Sequence, residues 1–230
     1  MDRARRDGCS RPLAAAPVRC LAIAALVASV ACDRPKGGTD PPKPAVASRG
    51  CETGRADPAR ARRVRALLGS ARAGRGVLER ERSPALVCFA EVEIPTITTG
   101  GTITLGERET DAENAARLAH LLLHAIEGAP LPEGFDRSRP CTSVVRDAVR
   151  AEARAHALEL QLRRELGATH PRRSYPFERD FWSAAADRRL EVLESYFWAH
   201  PRGGGGLPAF VEELTRRCAT LKRGRAPAEQ

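Results

Sequence analysis

A chain of 230 residues with 42% hydrophobic and 29% charged residues has a globular balance, which excludes a multi-span membrane protein, a collagen-like chain and a wholly disordered one. Aromatic residues are only 4% and alanine is abundant, so closely packed helices are expected rather than a β-sandwich. The formal charge of +9 implies less than it suggests: Arg3, Arg5, Arg6, Arg11 and Arg19 precede an apolar segment, and the only lysines are Lys36, Lys43 and Lys222. Elsewhere arginines alternate with acids, as in Arg163-Arg164-Glu165, which is the pattern of a solvated helix face; no nucleic-acid partner is expected.

The basic stretch ending at Arg19 is followed by the apolar run 20–31 and by Cys32. That run is too short for a stable membrane span. Small residues before a cysteine, Val30-Ala31-Cys32, make the segment similar to a bacterial lipoprotein signal, in which the cysteine is lipidated and becomes the mature N-terminus. The resemblance implies a signal peptide over 1–31, lipidation at Cys32 and a protein held in the bacterial cell envelope by its lipid, facing the periplasm or the cell surface. Ser29 departs from the usual leucine at that place, and Ser29-Val30-Ala31 also suits ordinary cleavage, so a soluble secreted or periplasmic form is the alternative. The Pro/Gly-rich residues up to 50 read as a tether, 51–222 as a single folded domain and 223–230 as a flexible tail.

Seven cysteines sort under this reading. Cys9 and Cys20 leave with the signal and Cys32 takes the lipid. Cys51, Cys88, Cys141 and Cys218 remain for two disulfides, since no pair has the C-x-x-C spacing of a redox or zinc motif. The pairing expected is Cys51 with Cys218 and Cys88 with Cys141.

Within the folded part, Asp57-Pro58 is a helix start, and the helix is expected to reach about 70. A short helical piece follows near Leu78. Apolar and β-branched runs at 85–89, 94–99 and 102–105 predict two or three short strands. Helices are then predicted over 111–127, 142–166, 177–199 and 207–221, separated by Gly128, Gly167, Pro201 and the glycines 203–206. The expected fold class is α+β, mainly helical, with a small sheet of short strands followed by packed helices. Aromatic residues concentrated between Tyr175 and Trp198 read as the heaviest part of an Ala/Leu core.

The chemistry lies on the two central helices. His120 and His124 stand four apart, so on a helix they share a face and can reach one ion. They also belong to a stripe with Glu113, Arg117 and Glu127, and such a stripe is ordinarily the wet side of an amphipathic helix. On the following helix Val145, Ala148, Val149, Leu160, Leu162 and Leu166 define the apolar face, and Glu152, His156 and Glu159 fall near its middle. A buried carboxylate without a partner costs several kcal/mol. These groups must therefore be paired with each other or with arginine, or hold a metal between His120, His124 and Glu152.

A short strand, a helix with paired histidines and a later helix with a glutamate together resemble the active-site core of zincin-type metallopeptidases, over about 87–166. The resemblance implies a zincin-like core and zinc as the cofactor. His120 and His124 match the two histidine ligands, and Glu152 is the best match to a third; His156, Glu159 and Glu127 are alternates. Leu121 stands where the motif H-E-x-x-H has its general base, and leucine can neither polarise water nor carry a proton. Since such a base contributes about 10²–10⁴ in rate, the expected function is non-catalytic: a binding or structural module with an envelope protein as partner. Two alternatives stay open. One is an active metal-dependent hydrolase using Glu127 or Glu159 as an atypical base, and the other is a helical envelope domain unrelated to metalloenzymes.

Overall fold

The computed structural model describes residues 50–98, 100–128, 136–168, 174–203 and 209–223. The signal segment, Cys32 and the tether lie outside the described residues, as does the start of the helix expected over 207–221. Asp57 caps the first helix as its sequence predicts, accepting from the Arg60 amide at 2.9 Å ahead of Pro58. The chain runs β1 (Arg55–Ala56), α1 (Pro58–Ser70), α2 (Arg72–Arg80), β2 (Val87–Ala90), β3 (Thr96–Ile97), β4 (Ile103–Gly106), α3 (Asp111–Glu127), α4 (Cys141–Glu165), α5 (Glu178–Ser183), α6 (Arg189–Ala199) and α7 (Phe210–Lys222). The fold is mainly helical with a small mixed sheet. Among the described residues no helix is long and apolar enough to cross a membrane.

The sheet has the order β1-β2-β4-β3, with β2 and β4 parallel and both outer pairings antiparallel. Val87 pairs with Ile103 and Phe89 with Leu105, and all four are buried. β4 leads directly into α3. There Thr110 accepts from the Glu113 amide at 3.2 Å while the Glu113 carboxylate accepts from the Thr110 amide at 2.8 Å, a reciprocal cap that fixes where the helix begins. The Asn114 side chain donates to the Gly106 carbonyl at 2.9 Å, and Arg60 of α1 donates to the Glu107 carbonyl at 2.8 Å and to Asp111 at 2.9 Å. The strand-to-helix corner is thus held from both sides.

Two apolar clusters flank the central helices. One gathers Val64, Leu68 and Val77 of α1 and α2, the sheet, and Ala115, Leu118 and Leu122 of α3. The other gathers Val145, Val149 and Leu160 of α4 with Phe177, Phe181, Leu193, Phe197 and Leu214. α3 packs against α1, α2 and the sheet on one side and α4 on the other, so residues 113–124 are buried all round. This corrects the expectation of a wet stripe: Arg117, His120 and His124 face carboxylates of α4 and Glu113 is buried at the N-cap, while Glu127 at the end of the stripe stays exposed.

Two further expectations are corrected. The disulfides are Cys51–Cys88 and Cys141–Cys218. Ala56 of β1 stands opposite Cys88, and the bend at 52–54, with Gly54 at φ +77°, lies between β1 and Cys51, which is 5.8 Å from Cys88 between Cα atoms; α7 packs along α4, so the second bond joins elements that are already neighbours. The helix expected over 177–199 is two helices. Ala184 and Ala185 are extended, and the resulting turn lets Phe181 and Leu193 bury in the same cluster, which a continuous helix would keep apart.

Candidate metal centre

Helical spacing on α3 and α4 sets the site. His120 and His124 project from successive turns of α3, and Glu152, His156 and Glu159 from successive turns of α4, so the two sets meet along the seam between the helices. The Nε2 atoms of His120 and His124 are 3.1 Å apart. Glu152 faces both rings with different oxygens, Oε2 3.0 Å from His124 Nε2 and Oε1 3.6 Å from His120 Nε2. His120 and His124 are each 9% exposed, at the edge of the buried interior.

Two turns along α4, Glu159 is fully enclosed at 0% exposure and is surrounded by donors. Arg163 approaches at 2.7 Å and Arg117 at 2.9 Å, the Tyr175 hydroxyl donates at 2.9 and 3.0 Å, and His120 Nδ1 stands 3.1 Å from Oε2. Burial pushes this carboxyl up, but the Arg117 charge, the close approach of His120 and the Arg163 charge outweigh it and hold Glu159 far below the usual carboxylate range. Glu152 is also held well below its ordinary value. There burial is outweighed by hydrogen bonds from His124 and His156 and by attraction to His120 and His156. Burial lowers the His120 pKa against the pull of Glu159 and Glu152, which favours the neutral ring.

With Glu159 ionised, the proton of neutral His120 belongs on Nδ1, which faces that carboxylate, and the Nε2 lone pair then points toward His124 and Glu152. The site so formed has imidazole nitrogen and carboxylate oxygen donors, the set that suits zinc and similar divalent ions. Ligand atoms of a tetrahedral zinc with bonds of about 2.0–2.2 Å lie about 3.3–3.5 Å apart. The two nitrogens, 3.1 Å apart, and Glu152 Oε2, 3.0 Å from His124, lie a few tenths of an ångström closer than that spacing, and the 3.6 Å approach to His120 is made by the other carboxylate oxygen. A second geometric grouping, His120, His156 and Glu159, is a poor cation site because Arg117 and Arg163 already neutralise Glu159.

The structure therefore brings together His120, His124 and Glu152, with His156 and Glu159 behind them. Glu127 is elsewhere, on the surface at the end of α3, bridging Arg80 at 3.2 Å and Arg154 at 3.1 Å. Leu121 is 7% exposed and packs into the cluster with α1, α2 and the sheet. Sequence reading missed Arg117, Arg163 and Tyr175 as partners of Glu159. Arg117 precedes His120 by one turn and Arg163 follows Glu159 by four residues, spacings that place each on the seam face. Compared with protein-family models, with curated proteins and with solved structures, the chain finds no match in any of the three.

Proposed function

We propose that the folded domain binds one divalent zinc-type ion through His120, His124 and Glu152, and that it serves the cell envelope as a binding or structural module without hydrolysing peptides. The observation that carries this reading is the convergence of two Nε2 atoms 3.1 Å apart with the Glu152 carboxylate, one oxygen 3.0 Å from His124 and the other 3.6 Å from His120, while Glu159 stands at His120 Nδ1. Such an ion supplies Lewis acidity and, when a base is near, an activated water. Here the base is missing from its zincin-like place: Leu121 is packed in the apolar core. The two acids that could replace it are engaged, Glu159 with Arg117, Arg163 and Tyr175, and Glu127 with Arg80 and Arg154.

Elemental analysis of the purified protein, paired with a peptidase assay, tests the reading. One zinc per chain is expected, lost in His120→Ala and in Glu152→Ala, with no peptide turnover. Absence of bound metal after zinc loading contradicts the site, and proteolysis abolished by His120→Ala contradicts the non-catalytic role. The envelope assignment rests on Val30-Ala31-Cys32 and on two disulfides, which belong to oxidising compartments. Mass spectrometry of membrane-extracted protein should find a lipid-modified N-terminal Cys32; an unmodified Cys32 returns the chain to a soluble secreted or periplasmic form.

A further inference from the structure

His156 has a place in the seam that neither the ligand triangle nor the arginine-bound carboxylate uses. Its Nε2 lies 3.1 Å from Glu152 Oε1, one helical turn away on α4, and hydrogen-bonds that carboxylate. The ring is 5% exposed and walled by aromatic rings, with centroids at 4.6 Å for His120, 4.7 Å for Tyr175, 5.3 Å for Phe177 and 5.7 Å for Phe197. Its Nδ1 makes no hydrogen bond and stands 3.8 Å from Glu159 Oε2. A ring packed on several sides is fixed in direction, so the donor it aims at Glu152 is preorganised.

Resting on the metal-binding reading above, we infer that His156 is a positioning residue for Glu152: its Nε2–H holds Oε1 and leaves Oε2, beside His124, as the single ligating oxygen. His156 is not itself placed as a ligand. The ligand atoms within 4.8 Å of one another at the triangle are those of His120, His124 and Glu152, and the other grouping that contains His156 is centred on the neutralised Glu159. Without His156 the Glu152 carboxylate is free to turn, so the ligating oxygen is no longer preorganised beside His124 and the coordination number is no longer fixed. Removing a partner of this kind lowers metal affinity by about 10–100-fold.

The probe is Co²⁺ alone, titrated into the metal-stripped full chain and followed by its visible absorption. The wild type should bind one Co²⁺ with the intense bands of low coordination number. His156→Phe, which keeps the aromatic packing, should bind about 10–100-fold more weakly with fainter bands, and His156→Gln, which retains an N–H donor, should recover part of both. Unchanged affinity and spectrum in His156→Phe would overturn the inference and leave the metal site intact. Loss of Co²⁺ binding in both variants would make His156 a ligand and also overturn it. No binding by the wild type would remove the metal-binding reading itself and this inference with it. A second measurement needs no variant: in ¹⁵N spectra of the histidine rings, Zn²⁺ should shift the Nε2 signals of His120 and His124 while His156 Nε2 keeps its proton; loss of that proton would refute the positioning role.

Discussion

The seam between α3 and α4 has two halves built from similar residues and neutralised in opposite ways. In the inner half Glu159 sits between Arg117 and Arg163 with the Tyr175 hydroxyl on its oxygens, so fixed cations and donors complete it. In the outer half the charged or ionisable partners of Glu152 among the described residues are histidines, His120, His124 and His156, which carry a charge only when protonated. A buried carboxylate with permanent partners is a structural element; one with exchangeable partners can be completed by a proton or by a metal ion. His120 links the two, with Nδ1 on the inner carboxylate and Nε2 on the outer one.

Substitution at Glu159 should separate the halves most strongly. Glu159→Gln removes the charge that two buried guanidinium groups share and should cost about 3–5 kcal/mol in denaturant unfolding. Glu152→Gln in chelator should cost only about 1 kcal/mol, because an amide can still bond to the histidines. Equal losses at the two positions would show that the inner and outer halves are alike.

Zinc should give the next largest effect. At a free concentration about 100 times the dissociation constant it should stabilise the wild type by about 2.7 kcal/mol and leave His124→Ala unmoved, as read from thermal unfolding at fixed protein concentration. Stabilisation of both proteins alike would place the ion outside the outer half.

Acidification of the metal-free protein probes both halves together. The carboxyls of Glu159 and Glu152 are depressed in the fold, so the stability they contribute is complete above about pH 4.3, the ordinary glutamate value, and is lost as pH falls toward their folded values. His120 is also lowered, so its contribution is present above about pH 6.5 and declines as pH falls through that window. Stability should therefore fall in two limbs, and Glu159→Gln should flatten the lower one. A lower limb unchanged in that variant would mean that Glu159 is not the group being protonated. Tyr175→Phe, which removes one donor and keeps both arginines, should cost about 1.5 kcal/mol in the same unfolding assay.

How much of this was legible in the sequence follows the same division. Local signals were readable: Asp57-Pro58 marked the start of α1, and Gly128 marked the end of α3. β1 was not, because two exposed residues have no periodicity and pair only through β2. The break at Ala184 and Ala185 carries no proline or glycine, and the disulfide pairing depends on which elements become neighbours, which spacing does not encode. At the seam, His120, His124 and Glu152 could be singled out by residue type and helical spacing. The burial of Arg117 could not, since an arginine in a polar stripe looks solvated until a second helix with a matching stripe covers it. Tyr175 looked like core; it is core, and its hydroxyl also completes Glu159.

The central claim, that the outer half is completed by an ion and the inner half by the protein, is tested most directly by calorimetric titration of Zn²⁺ into chelator-stripped wild type and Glu152→Gln. One site per chain in the wild type and none in the variant is the predicted result. No binding by the wild type, or a site that survives loss of the Glu152 carboxylate, would contradict it.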